Sequence, residues 1–184
     1  EGRLPADRIF HVTCRQGNEP FTPLRDALRQ RFAMRDDEDP VTARLRLTTQ
    51  VGKVLGLGAA ALVTETAHLL GYVAGVSFPE SPVLRAVQHD EELLQRRLKE
   101  AMVRFFAVEA GSAPLAMVFD GMHHASAEAK QFMMAVLEEM EPAPILVVGG
   151  GLPEVGEITD NESIVRIRLE RLDDVARADR AVEL

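Results

Sequence analysis

The stretch Ala113–Ser126 reads A-P-L-A-M-V-F-D-G-M-H-H-A-S, and its reading decides the fold. Five apolar residues, Leu115 to Phe119, run without a break and end on Asp120. A short, wholly apolar run bounded by turn signals predicts a strand buried on both faces, as in a parallel sheet. A carboxylate at the carboxyl end of such a strand stands where open α/β sheets place their ligands. Ser126 then opens a helical segment as its cap.

The next apolar run, Ile145–Val148, ends in Gly149-Gly150-Gly151 and predicts a second strand of the same kind. The helix Ala127–Met140 joins the two, with Phe132, Val136, Leu137 and Met140 as its apolar face and Pro142 as its stop. Upstream, Asp90–Val108 carries Leu93, Leu94, Leu98, Met102, Phe105 and Phe106 at helical spacing, and Gly111 stands in a position suited to a C-terminal cap. Arg8–Cys14 alternates and is β-branched, which predicts a strand. Gln16–Pro23 is a turn, and Thr22 with Pro23 opens a helix whose face is Leu24, Leu28 and Phe32. Asp39-Pro40 opens another, carrying Val41, Leu45, Val51, Val54 and Leu55. A third helix spans Ala59–Ala74, Gly75–Pro82 is a loop, and Val83–Gln88 is a short helical turn. Ile164–Leu169 alternates and predicts a half-buried edge strand, and Asp173–Val182 a closing helix. Strands separated by helices imply right-handed crossovers and a three-layer α/β fold, a parallel sheet covered on both sides.

The 184 residues, 46% of them hydrophobic and 27% charged, suit one domain with a sizeable core. A net charge of -8 disfavours a nucleic-acid surface and an anionic membrane surface. The most apolar region, around Leu55–Val76, is interrupted by Glu65, His68 and several glycines, which makes it a poor transmembrane segment. One cysteine, Cys14, excludes an internal disulfide and fits a reducing, cytoplasmic compartment. The chain starts on Glu1 and carries no signal peptide, which suggests a piece of a longer protein.

The segment L-A-M-V-F-D-G-M-H-H-A-S resembles the Walker B region of bacterial signal-transduction ATPases with numerous domains, a branch of the AAA-like P-loop ATPases. I-L-V-V-G-G-G-L-P-E resembles the strand leading to that family's sensor segment, and V-R-I-R-L-E-R-L-D-D-V-A-R its closing strand. C-R-Q-G-N-E-P-F-T-P-L-R-D-A-L is similar to the stretch one helix beyond the family's phosphate loop, and F-P-E-S-P also fits. The resemblance implies a P-loop NTPase-like sheet. It implies that Asp120 would serve a magnesium shell, and that Asp120, His123 and Gly150 would face ATP. The partners it implies are other domains of a parent chain or another signalling protein.

Three departures are visible. The only Gly-Lys, Gly52-Lys53, has Leu47 where the loop needs glycine and Val54 where Ser or Thr would hold magnesium, so it is no phosphate loop; that loop and its strand would lie before Glu1, either cut from the sequence or lost by the protein. The second acidic position of the Walker B segment is Gly121, where the family's carboxylate orients the attacking water. The sensor segment reads Gly150, Gly151, Leu152 before Pro153-Glu154, without the family's Thr and Arg. Phosphoryl transfer depends on positioned charge, so these losses point to a weak or dead hydrolase.

Plainer readings compete at each position. Asp120 could simply cap the turn after its strand. His123-His124 with Glu128 could suggest a metal, but adjacent turn histidines are expected to diverge, with His123 packed under the strand end and His124 exposed. Gly56-x-Gly58-x-x-Ala61 imitates a dinucleotide fingerprint but needs a strand before it. Cys14 reads as a buried apolar residue, and Met117, Met122, Met133, Met134 and Met140 read as core filling. The expected function is a degenerate, ATPase-like regulatory module acting as a protein-interaction scaffold without hydrolysis. An ATP- and magnesium-binding regulatory ATPase domain with its phosphate loop upstream is the alternative. A dinucleotide-binding enzyme is the outsider.

Overall fold

The computed structural model describes residues 4–15, 21–56, 58–140, 142–152, 165 and 167–169. Three strands, β1 (Ile9–Thr13), β2 (Leu115–Asp120) and β3 (Ile145–Gly149), form a parallel sheet in the order β1-β2-β3. Six helices accompany them among the described residues: α1 (Thr22–Arg31), α2 (Pro40–Leu55), α3 (Ala60–Ala74), α4 (Pro82–Val87), α5 (Glu91–Ser112) and α6 (Ala127–Glu139). The α/β reading and the middle place of β2 follow from its continuous apolar run, because both faces of a middle strand are open to packing.

Register shows how the two faces of the sheet differ. Phe10, Met117 and Val147 align across the strands, as do Val12, Phe119 and Gly149. Phe10, Val12, Met117 and Phe119 are buried. On the alternate face Ile9, Ala116 and Leu146 align, and His11, Val118 and Val148. Here Ile9 is 42%, Leu146 60% and Val148 45% exposed. The sheet is parallel and flanked by helices, and among the described residues its second face is unevenly covered, with Ala116 buried in the middle strand and Ile9, Leu146 and Val148 exposed beside it. The expectation that Ile145–Val148 is fully buried is corrected. β3 pairs only with β2 among the described residues, so it lacks the lateral and facial neighbours that bury a middle strand.

Local chemistry sets the helix starts. The side chains of Asp39, Ser81, Asp90 and Ser126 accept hydrogen bonds from the N–H groups of Thr42 (2.9 Å), Leu84 (3.1 Å), Leu93 (2.9 Å) and Ala129 (3.1 Å). Phe21, and not Thr22, is the cap residue of α1. In α2 the buried stripe is Ala43, Leu47 and Val51, while Val41 and Leu45 are exposed. The first set repeats every four residues toward α3 and α5, and Val41 and Leu45 fall on the other side of the turn. Gly111 lies inside α5, which continues to Ser112. The first glycine of Gly56-x-Gly58 caps helix α2 and does not follow a strand, so the dinucleotide fingerprint lacks its structural context.

The helical layer is held by rings and by one buried charge. Phe32, Phe105 and Phe106 pack with centroids 5.3 Å apart in each adjacent pair. Glu109 is 4% exposed and meets Arg31 at 2.5 Å and Arg8 at 3.4 Å, and Arg31 also donates to Gln50 (2.7 Å). This network ties the amino end of β1 to α1, α2 and α5. At the far end of α3, Arg25 and Arg29 donate to the carbonyls of Val73 (3.1 Å) and Ala74 (3.2 Å), which the helix itself leaves unpaired.

Glu1–Gly151 forms one compact unit and Leu152–Leu184 a second. In the second, Val165, Ile167, Arg168 and Leu169 are exposed and in no strand, so the edge strand read over Ile164–Leu169 is not formed at these residues. An alternating segment without a ladder partner has no hydrogen bonds to hold it extended. Ile164, Arg166, residues 16–20, Pro153-Glu154 and the closing helix Asp173–Val182 lie outside the described residues. No helix among the described residues is long and apolar enough to cross a membrane.

Candidate functional site

The carboxyl ends of the three strands converge on one small region. The Cys14 N–H donates to the carbonyl of Asp120 (2.7 Å), which extends the β1–β2 ladder by one step. The Gly150 N–H donates to the carbonyl of Phe119 (2.8 Å), and the Met122 N–H to the carbonyl of Gly150 (2.8 Å). The turn after β2 is thus laced to both neighbouring strand ends. Asp120 is exposed, with Oδ1 only 3.4 Å from where a Cβ on Gly150 would stand. A side chain at position 150 would crowd that carboxylate.

Gly121 has a left-handed backbone, with φ of +71°, and a Cβ there would lie 3.1 Å from the Cys14 carbonyl. Any L-residue other than Asn or Asp pays a conformational cost of about 1–2 kcal/mol in this region. The backbone at position 121 thus has a form that suits glycine. Composition gave no signal of this, although a glycine directly after an acidic strand end is a turn signal.

Residues Met122–His124 form one 3-10 turn. The His123 and His124 rings lie 3.8 Å apart at 44°, which corrects the expectation that they diverge. Two planar rings on a tight turn bury more surface against each other than apart. His123 is half-buried and its Nδ1 is buried without a partner among the described residues, while His124 is exposed as expected. The structure thus brings Asp120, Gly121 and Gly150 together and turns the His123 ring to its neighbour. Leu152 is exposed.

Cys14 is buried, with its Sγ 3.7 Å from the Met122 Sδ. Burial raises its thiol pKa, and the charges of Asp26 and Asp120 raise it further against the opposing pull of Lys130. That disfavours the thiolate and leaves Cys14 a packing residue. No cluster of three or more His, Cys, Asp or Glu side chains able to hold a metal occurs among the described residues. A lone exposed Asp120 suits magnesium only where phosphate oxygens and water complete the shell. Compared with protein-family models, curated proteins and solved structures, the chain matches none.

Proposed function

We propose that this chain is a degenerate P-loop NTPase-like regulatory module, similar to those of bacterial multidomain signalling ATPases, and that it acts as a protein-interaction scaffold without hydrolysis. The observation that carries this reading is the Asp120-Gly121 pair. A carboxylate ends the middle strand at the carboxyl end of a parallel sheet, where open α/β sheets place their ligands, and the next residue is a glycine with a left-handed backbone. Its partners would be other domains of the parent chain or another signalling protein, in the cytoplasm.

The second reading is a module that binds ATP and magnesium, with Asp120 in the magnesium shell and His123 and Gly150 beside the nucleotide. Among the described residues β3 has one neighbour and Leu146 and Val148 are exposed, which favours it, since an added strand and helix carrying a phosphate loop would cover both.

Turnover in Gly121→Glu tests the hydrolytic part. The expected result is no magnesium-dependent ATP hydrolysis above background, because restoring one carboxylate supplies neither the phosphate loop nor the sensor charge. A measurable rate that disappears on also making Asp120→Asn would overturn the scaffold reading.

A further inference from the structure

A groove of about 380 Å³ lies where the end of α3, the following loop, α4 and the start of α5 meet. That volume falls within the range of small-molecule sites. Tyr72, Val76, Phe78, Leu84 and Leu94 give it an apolar lining, and Arg85 is its one charged lining residue. We propose that the groove binds a small amphiphilic carboxylate, with the apolar body between Tyr72 and Phe78 and the acid group on Arg85.

The wall is built in advance. Phe78 rests against position 71, where a Cβ would come within 2.5 Å of its Cε2, so only glycine admits the ring there. The His68 ring packs against it at 4.3 Å between centroids. His68 Nδ1 is in turn fixed 2.8 Å from the Ser81 hydroxyl, the same hydroxyl that caps α4. A wall already ordered loses little freedom on binding. The negative end of α3, which would oppose an acid, is muted because Arg25 and Arg29 already donate to its Val73 and Ala74 carbonyls.

Arg85 is exposed, and its Nε donates to the Ser81 carbonyl at 3.4 Å. Its Nη2 donates to the Glu80 carbonyl (2.9 Å), and its ion pair with the Glu80 carboxylate, at 3.6 Å, is open to solvent. Such a pair holds the guanidinium weakly. A guanidinium accepts a carboxylate in preference to any neutral group, so charge selects an acid over an alcohol of the same length.

The sequence contains one tyrosine and no tryptophan, so the intrinsic emission of the chain reports on Tyr72 alone. Titration with octanoate is expected to change that emission saturably, and octan-1-ol to bind more weakly. Arg85→Gln is expected to weaken octanoate about tenfold and leave octan-1-ol unchanged, the size of one charged hydrogen bond. Absence of a saturable change with octanoate, or equal octanoate affinity in the intact chain and in Arg85→Gln, would overturn the proposal.

Discussion

The two faces of the sheet are made from similar residues and are buried to different degrees. Phe10, Val12, Met117 and Phe119 are buried, while one register step away Ile9, Leu146 and Val148 are exposed, Val118 is half-buried and Ala116 is buried. Parallel sheets are ordinarily covered on both faces, because crossover helices fall on each side. Among the described residues the exposed apolar side chains of the sheet thus gather on β3 and at Ile9. The carboxyl end of β2, with Asp120, Gly121 and Gly150 close together, adjoins the face that carries them, since Ala116, Val118 and Asp120 alternate on it.

The comparison is broken most severely on the packed side. Phe119→Ala removes a fully buried ring and is expected to lower unfolding free energy by about 3–5 kcal/mol, read from urea denaturation. A loss under 1 kcal/mol would mean that the face is less tightly packed than its burial implies. At the rim, Gly121→Ala forces a β-carbon into the left-handed region against the Cys14 carbonyl. It should cost about 1–2 kcal/mol, and Gly121→Asn visibly less.

A smaller effect belongs to the helical layer. Burial lowers the pKa of His68, so the folded state favours its neutral form. The unfolded chain then binds the proton more readily. The stability this contributes is fully present above the unfolded value, about 6.5, and is lost as pH falls below it. The urea midpoint should therefore drop as pH falls through 6.5, and His68→Asn should remove that part of the slope. Smallest of all is the effect at β3. Leu146→Lys with Val148→Lys should change stability by no more than about 0.5 kcal/mol, because neither side chain leaves a packed environment. A loss comparable to that of Phe119→Ala would show the two faces to be equivalent after all.

Much of the fold was legible in the sequence. The apolar run ending on Asp120, the Asp39-Pro40 start and the Ser126 cap all act within a few residues, where local chemistry dominates. The exposure of Leu146 and Val148 was not legible, because I-L-V-V reads the same whether its neighbours are present or not. The buried side of α2 was misplaced for a related reason. Val41 and Leu45 are as apolar as Leu47 and Val51, and only the position of α3 and α5 decides between them. At the candidate site the residue types were readable, but the left-handed backbone of Gly121 and the stacking of His123 on His124 arise from tertiary lacing between strand ends.

The central proposal is that this chain, as given, acts as a scaffold and does not itself bind ATP. Isothermal titration of the chain with ATP and magnesium tests it most directly. The account predicts no saturable heat, in the intact chain and in Asp120→Asn alike. Saturable micromolar binding that Asp120→Asn abolishes would contradict it.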